Sequence, residues 1–312
     1  MIRFQDISSF TSKEKTFVTI GTFDGVHFGH QKILEKLVLD AKKAGKKSVL
    51  LTFFPHPRMV LQEQNTIKLI NTIEERAFLL EKTGLDYLII HPFSKEFSNM
   101  SALEFVKDIL VNKFSISKLI IGYDHHFGKN REGNIAQLTQ YSHLYNFTVE
   151  EIRAQDIDDV SISSTKIRQA LDNGNIKTAN KYLGYHFMLK GKVIHGKQLG
   201  GKIGYPTANV EVKEAYKLIP KTGVYVVQSK IDTVVVFGMM NIGNRPTING
   251  NHQTIEAHFF DFKDNLYHKN LCVELLHFLR NEEKFSDIPS LIHQLKIDEQ
   301  NARNYILTKK LL

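Results

Sequence analysis

Two histidines, His27 and His30, are the first residues of the chain whose types and spacing could do chemistry. They stand in the stretch TIGTFDGVHFGHQKIL, between an apolar run ending at Ile20 and a helical pattern that begins at Gln31. Side chains three residues apart on a helical turn face the same way. A strand-to-helix junction also gathers backbone N–H groups and the positive end of the helix dipole, which bind anions. The histidines therefore indicate a ligand site at this junction.

The residues around the histidines leave two kinds of site open. Gly21, Gly25 and Gly29 predict a turn, and Asp24 lies within it. Histidine and aspartate are good metal ligands. Imidazole N–H groups and backbone amides can instead hold phosphate oxygens. A single histidine would more often only cap a turn, but a pair set among three glycines at a strand end favours a functional site.

A second motif, ISSTKIR, would by itself indicate only a capping serine with a surface arginine, and it gains meaning together with the histidine motif. Ser164 and Arg168 are four residues apart and share a helical face. The segment His27-x-Gly29-His30 resembles the signature of the nucleotidylyltransferase superfamily, whose members also carry a serine or threonine followed by a basic residue at a helix start. The resemblance implies that this helix N-terminus and Arg168 hold the outer phosphates of ATP.

A glycine-rich stretch in the second half, GKVIHGKQLGGKIGYPTANV, is the other candidate site. It is not a P-loop, because Gln198 stands where serine or threonine is required and no helical pattern follows. Gly196 and Gly204 are consistent with a loop whose backbone approaches a ligand. Thr207 and Asn209 would face the same way on a strand, where a hydroxyl and an amide oxygen can bind Mg²⁺ or simply face solvent.

The elements that must position these residues divide into two parts. Up to about residue 160 strands and helices alternate, which predicts a parallel sheet with its ligand at the carboxyl ends of the strands. From about Tyr185 short β-like runs are broken by Gly, Asn and Pro, and one helical pattern ends the chain. The sequence predicts domains at 1–183 and 184–312. The predicted strands of the first domain are 16–20, 47–54, 85–90, 117–123 and 147–152; its predicted helices run from 31, over 72–84 and over 101–114.

Composition restricts the function further. The 312 residues are 42% hydrophobic and include one cysteine, Cys272, so an internal disulfide is impossible. No apolar run is long enough for a membrane span, and the first residues lack the core of a signal peptide, so we expect a cytoplasmic protein. The net charge is +8 without any block of five basic residues, which argues against nucleic acid as a partner. The oligomeric state is not predicted.

The segments GTFDGVHFGHQ, TFFPHPRMVL and GYDHHFGKNREG resemble the FMN adenylyltransferase half of the bifunctional riboflavin kinase/FAD synthetase family, over residues from about 15 to 183. The resemblance implies a Rossmann-like domain that transfers AMP from ATP to FMN, with catalytic roles for His27, His30 and Arg168. His125 and His126 follow Asp124 here, where the family often has an aromatic residue and an arginine. The nucleotide contacts that the resemblance implies in this domain are Gly21, Phe23, Asp24, Gly25, Asp124, Ser163 and Ser164.

The second half resembles the riboflavin kinase part of the same family through PTAN, MNIGNRPTI, IEAHFFDF and LCVELLHFLRNEEKF. The resemblance implies a six-stranded antiparallel barrel with a C-terminal helix. It also implies that Gly196 and Gly204 bind nucleotide and that Thr207 and Asn209 hold the Mg²⁺ of Mg-ATP.

Glu274 interrupts the apolar strand LCVELLHFL. A carboxylate there is either held by hydrogen bonds, for example to Arg280, or functional. By the resemblance Glu274 is the base that takes the proton from the riboflavin 5′-hydroxyl.

The whole pattern predicts a bifunctional enzyme that phosphorylates riboflavin to FMN and adenylylates FMN to FAD, each step with Mg-ATP. One alternative is a single-activity nucleotidylyltransferase, acting for example on nicotinamide mononucleotide, with an accessory barrel. The kinase motifs from Thr207 to Glu274 argue against it. Another is a flavin-binding regulatory protein without catalysis, against which the intact histidine pair and Glu274 argue.

Overall fold

A computed structural model describes residues 1–62, 67–122, 127–129, 132–152, 162–196, 199–247 and 250–311. The chain divides into two compact units, Met1–Ser164 and Thr165–Leu312. Each unit has its own sheet. Asp124, His125 and His126 lie outside the described residues.

The first unit is built on a six-stranded sheet in the order β1-β4-β3-β2-β5-β6, and every neighbouring pair is parallel. The predicted parallel sheet is confirmed, with β1 as an additional edge strand. The side chains of β2 and β3 are largely buried, as expected for a sheet covered on both faces. The strands are β1 (Ile2–Phe4), β2 (Thr16–Ile20), β3 (Lys47–Phe53), β4 (Tyr87–His91), β5 (Ile116–Gly122) and β6 (Thr148–Ile152).

The helices of the first unit begin at side-chain caps. Thr72 and Glu75 form a reciprocal capping box at the start of the third helix, and Ser101 and Glu104 form another. Gly84 has the positive φ expected of the predicted stop. The helices are α1 (Phe28–Lys43), α2 (Pro57–Leu61), α3 (Ile73–Glu81), α4 (Lys95–Ser98), α5 (Ala102–Glu104) and α6 (Ile135–Tyr145).

The helix predicted over 101–114 differs from an ordinary α-helix in the structure. After α5 the chain continues as a π-helix over Phe105–Lys113, and the Phe114 N–H donates to the carbonyl of Ile109, five residues back. Phe105, Val106, Ile109 and Leu110 are buried in the core under the sheet. The amphipathic segment is thus buried as predicted, but its helix type differs from the one that a 3.6-residue period indicates.

The second unit is a closed antiparallel barrel in the order β10-β11-β8-β7-β12-β9. The predicted six-stranded barrel is thus confirmed. In this ring β8 pairs with β11 and β7, whereas β12 pairs with β7 and β9. The strands are β7 (Met188–Ile194), β8 (Ala208–Glu211), β9 (Gly223–Ile231), β10 (Val234–Thr247), β11 (Gly250–Phe259) and β12 (Asn270–Arg280).

In the described part of the chain, four further helices pack around the barrel or lead into it. The helices are α7 (Ser164–Asp172), α8 (Ile176–Leu183), the short α9 (Leu199–Lys202) and the C-terminal α10 (Ile288–Thr308). Asp287 caps α10, and Ala302 and Ile306 of that helix bury against Val226 and Leu276 of the barrel. The C-terminal helix therefore covers part of the outer face of the barrel.

Helix α8 is attached to the barrel by Asn180. Its side-chain amide donates to the carbonyl of Leu275 at 2.8 Å and accepts from the N–H of Phe187 at 2.8 Å. Leu183 is buried, and Gly184 ends the helix in the left-handed conformation. The chain enters the barrel after Gly184, which is where the sequence predicts the domain boundary. Helix α8 precedes this boundary in the sequence but packs on the barrel of the second unit.

We therefore predict that a fragment of residues 165–312 is more stable than one of residues 184–312. The shorter fragment loses both hydrogen bonds of Asn180, together worth about 1–3 kcal/mol. Denaturant unfolding of the two fragments measures the difference. The Asn180→Ala variant of the longer fragment should lose a similar amount, and Lys181→Ala, which changes an exposed neighbour, should lose almost none. Equal stability of both fragments would contradict the prediction.

Candidate active sites

The histidine turn lies at the carboxyl end of β2, an interior strand of the parallel sheet. The N–H of Gly21 still donates to the carbonyl of Leu51 on β3, and the chain then leaves the sheet. Helix α1 begins at Phe28, three residues before the predicted start, because His27 serves as its N-cap. Both histidines therefore lie at the N-terminus of a 16-residue helix, at the sheet edge where such folds bind ligands.

The turn has an unusual backbone. Phe23, Gly25 and Val26 all have positive φ, at 48°, 87° and 35°. Phe23 is buried and its ring lies 4.6 Å from that of His30. A Cβ on Gly21 would lie 3.0 Å from the Phe23 ring, so this position favours glycine. Phe23 and Gly21 thus shape the turn from within.

The two histidine rings stack, with centroids 3.6 Å apart and planes inclined by 17°. The Nδ1 atom of His27 accepts from the backbone N–H of His30 at 3.4 Å. A neutral His27 therefore carries its proton on Nε2, where it can serve as a donor to an anion.

His30 is held in its neutral form. Burial lowers the pKa of His30 well below its usual value, and the nearby charges of His27 and Arg76 lower it further. His30 as a whole is half-buried, but its Nδ1 is enclosed and has no hydrogen-bond partner among the described residues. An anion bound at this ring would therefore meet a neutral imidazole rather than an imidazolium.

Asp24 is directed into the protein. Its carboxylate accepts from the backbone N–H groups of Ile70 at 3.1 Å and Asn71 at 3.3 Å, and it lies 3.8 Å from the guanidinium of Arg76. The predicted nucleotide contact of Asp24 is thus accompanied by a structural role, in which Asp24 ties the turn to the segment before α3.

The serine motif also reaches this turn. The hydroxyl of Ser164 donates to the backbone carbonyl of Asp24 at 2.9 Å. Ser163 directly precedes α7, and Arg168 follows one turn later on that helix, in the second unit. The structure therefore brings Ser164 to the histidine turn. The predicted contact of Asp124 falls outside the described residues.

The second unit contains a cavity of about 260 Å³. Its walls come from β8, β10, β11, the end of β12 and the first half of α10. Arg280 and Asp298 join two of these elements, because Asp298 is buried and accepts from Nε and Nη2 of Arg280 at 2.8 and 2.7 Å. The residues that line the cavity include Thr207, Asn209, Asn241, Glu256 and Phe285.

Oxygen-bearing side chains form a row along one wall of this cavity. Asn209 on β8 lies directly opposite Glu256 on β11, and Glu256 lies opposite Asn241 on β10. The hydroxyl of Thr207 donates to Glu256 at 3.4 Å. Thr207 and Asn209 thus face the same cavity, and a carboxylate lies between them and Asn241.

The glycines of the preceding loop differ in their surroundings. A Cβ on Gly196 would lie 2.3 Å from the amide nitrogen of Asn209, so the backbone of Gly196 packs directly on that side chain. Gly204 has a φ of +87° and open space around it. Gly196 is therefore required by its contact with Asn209, and Gly204 by its backbone conformation.

Glu274 is not part of this cavity. It lies on β12, which stands on the opposite side of the closed ring from β11, and its side chain is 35% exposed. Its carboxylate accepts from Gln228 at 2.7 Å and lies 3.5 Å from Nδ1 of His186. Arg280, the expected partner, pairs with Asp298 instead. Glu274 is half-buried, between the buried Val273 and Leu275, and its predicted role as the base stays a prediction.

Two residues of these sites are missed by sequence reasoning. Glu256 lies in IEAHFFDF, where Ile255 and Ala257 are buried and Glu256 and His258 line the cavity. That alternation is visible in the sequence as a polar face. Arg76 stands within the helical pattern TIEERAFLL, where its burial has no sequence signal.

A parallel α/β domain with histidines at a helix N-terminus, and a barrel whose cavity presents Thr, Asn and Glu oxygens, define a two-domain enzyme of nucleotide and phosphate chemistry. The family model for FAD synthetase matches residues 9–166, and that for riboflavin kinase matches residues 183–306. The chain belongs to the bifunctional riboflavin kinase/FMN adenylyltransferase family.

Curated relatives are similar over almost their whole length. The bifunctional riboflavin kinase/FMN adenylyltransferase of Haemophilus influenzae is 37% identical, over 92% of this chain and 93% of the relative. The protein of that name from Listeria monocytogenes is 36% identical, over 92% of this chain and 91% of the relative. Both domains of the family are therefore present in one chain.

One solved structure is also similar over its full length. It is described as a macrolide-efflux protein from Streptococcus pneumoniae, is 30% identical, and superposes with a TM-score of 0.89 over 97% of this chain and 98% of that one. Among the described residues, none of the helices has the length and apolar character needed to cross a membrane.

The lowered pKa of His30 predicts a pH dependence of stability. The unfolded chain binds a proton at His30 below about pH 6.5, while the folded form does not. Stability is therefore lost as the pH falls from about 6.5 towards the folded pKa, by at most about 1.4 kcal/mol per pH unit. The His30→Gln variant should show a shallower loss of melting temperature below that pH, whatever its stability at neutral pH.

The matched control for this experiment is His143→Gln, which changes an exposed histidine of α6. This variant should retain the wild-type slope of melting temperature against pH. Identical slopes for wild type and His30→Gln would show that burial does not keep His30 neutral.

Proposed function

We propose that the histidine turn and the barrel cavity carry out two successive steps of flavin cofactor synthesis. The riboflavin kinase domain phosphorylates riboflavin to FMN with ATP. The FAD synthetase domain adenylylates FMN to FAD with a second ATP and releases pyrophosphate. The observation that carries the proposal is the placement of Thr207, Asn209 and Glu256 in one cavity, in a chain that also has the histidine pair at a helix N-terminus.

In the adenylylation step an oxygen of the FMN phosphate attacks the α-phosphorus of ATP, and the bond to pyrophosphate breaks. The nucleophile is already an anion, so the site needs positioning and charge stabilisation rather than a strong base. His27 can donate from Nε2, and His30 stacks on it as a neutral ring. These histidines and the N-terminus of α1 would stabilise the transferring and leaving phosphates. The contact of Arg168 with the pyrophosphate, which the sequence resemblance implies, stays a prediction.

In the kinase step the riboflavin 5′-hydroxyl attacks the γ-phosphorus of ATP and must lose its proton. The base has to lie in the cavity that holds the reacting groups. Glu256 lines this cavity, whereas Glu274, the base predicted from the sequence, is not among its lining residues. We therefore assign the base to Glu256 and keep Glu274 as the alternative that the experiment below tests.

The cavity also suits a magnesium ion. Mg²⁺ prefers oxygen ligands and binds through few protein groups together with substrate phosphates. Thr207 and Asn209 supply a hydroxyl and an amide oxygen, and Glu256 supplies a carboxylate beside them. The described residues contain no cluster of three or more His, Cys, Asp or Glu that could hold a metal alone. Thr207 and Asn209 would thus hold the ion that neutralises the phosphates of ATP.

The boundary between the two activities is proposed to fall at residues 183 and 184, as the sequence predicts. The fragment of residues 184–312 would then make FMN and no FAD. Riboflavin, FMN and ATP would be the partners of the chain, rather than nucleic acid. Since both steps consume ATP, a cytoplasmic location is proposed as well.

Replacing each of the two candidate bases by glutamine decides between them. Glu256→Gln keeps the shape and removes the base, so riboflavin kinase turnover should fall by about 10²–10⁴-fold. Glu274→Gln should leave turnover close to wild type. Synthesis of FAD from added FMN should be unchanged in both and serves as an internal control, with melting temperature as a check on folding. If Glu274→Gln loses kinase turnover and Glu256→Gln does not, Glu274 is the base.

The contact between Gly196 and Asn209 predicts a change in metal dependence. Gly196→Ala must displace the Asn209 amide, and changes next to a metal ligand typically weaken metal binding by about 10–100-fold. The Mg²⁺ concentration for half-maximal kinase activity should rise accordingly. Gly201→Ala is the control, because a Cβ there meets nothing within 4 Å. Equal Mg²⁺ titrations for both variants would remove Asn209 from the metal site.

A further inference from the structure

Arg76 on α3 is a charged side chain that the mechanism above does not use. It is completely buried in the first unit, and it is the largest of the fully buried side chains there. Burying a guanidinium is costly unless its charge and donors are compensated. Because Arg76 has no exposed surface, it does not contact a substrate, and any effect on the reaction must pass through the residues that it touches.

The contacts of Arg76 lead to two points of the histidine turn. Its Nη1 donates to the hydroxyl of Thr52 at 3.4 Å, and that hydroxyl donates to the backbone carbonyl of Thr22 at 3.0 Å. Its Nη2 lies 3.8 Å from the carboxylate of Asp24. Thr22 and Asp24 flank Phe23, so a single guanidinium reaches the turn on either side of that residue.

The turn needs such support. Phe23 and Val26 have positive φ although they are not glycines, a conformation that persists only where the surroundings enforce it. Asp24 connects the turn to two other segments of the chain. Its carboxylate holds two backbone N–H groups, and its carbonyl accepts from Ser164. A charge that fixes the Asp24 carboxylate therefore also fixes the attachment of the serine motif.

We propose that Arg76 is a positioning residue of the adenylylation site, where it sets the geometry of the turn that carries His27 and His30. The inference rests on the proposed role of those histidines. Arg76 forms and breaks no bond in the reaction. It acts by holding Asp24 and Thr52, so that the histidine rings lie where the phosphates react. A displacement of about 1 Å at such a site can cost about 100-fold in rate.

The test compares arginine variants in the full chain, with FAD synthesis from added FMN as the readout. Arg76→Met should lower kcat by roughly 100-fold and change the KM for ATP only a few-fold, because positioning matters most in the transition state. Arg76→Lys keeps the charge but lacks the planar fork, so it should recover part of this kcat. FMN synthesis from riboflavin should be unchanged in every variant.

Arg3→Met is the matched control. Arg3 lies 3.4 Å from Glu74 and from Glu81 on the same helix α3, but at the surface, and its removal should leave FAD synthesis unchanged. His30→Ala is the reference for the site itself. If His30→Ala retains full FAD synthesis, the proposed role of the turn is wrong, independently of Arg76.

If His30→Ala loses FAD synthesis and a folded Arg76→Met or Arg76→Lys variant keeps the wild-type kcat, the positioning role of Arg76 is overturned. The same conclusion follows if the loss only matches the unfolded fraction measured by circular dichroism. Should Arg76→Met fail to fold, folded Arg76→Lys decides by its kcat: a fall of about 10-fold with a nearly unchanged KM supports the proposal.

Discussion

The carboxylate of Asp24 is the interaction on which the first site depends. A buried carboxylate is tolerated only when donors surround it. Asp24 finds two backbone N–H groups ahead of α3 and the charge of Arg76. Its position between β2 and α1 means that the same bonds hold a backbone with three positive φ values. The free energy of these hydrogen bonds thus offsets the backbone strain of the turn that leads to His27 and His30.

A different constraint, the closure of the barrel, organises the second site. In a closed ring each strand has only two neighbours, so the residues that pair directly with Asn209 come from β11 and β7. Glu256 is on β11 and directly opposite Asn209, while Glu274 is on β12, which pairs with β7 and β9. Strand order, rather than distance along the sequence, therefore decides which carboxylate lies beside the Asn209 side chain.

Much of the fold can be predicted from local patterns, because these patterns report local physics. The capping residues of α3 and the stop at Gly84 act within a few residues, and the apolar runs of β2 and β3 are continuous. The three-residue edge strand β1 buries little and leaves no pattern. The histidine turn and PTAN were likewise predictable by type and spacing. Burial of Arg76 and the pairing of Glu256 depend on contacts far along the chain, so no local pattern reports them.

Side chains along β11 alternate between the buried packing of the barrel and the wall of the cavity. Ile255, Ala257 and Phe259 are buried in the packing of the barrel, and Glu256 and His258 line the cavity. Side chains on the two faces of a strand do not contact each other. Substitutions that repack the buried face can therefore accumulate without changing the cavity wall, provided the register with β8 and β10 is kept. Divergent members of such a fold would then preserve alternate positions of this strand, and vary in between.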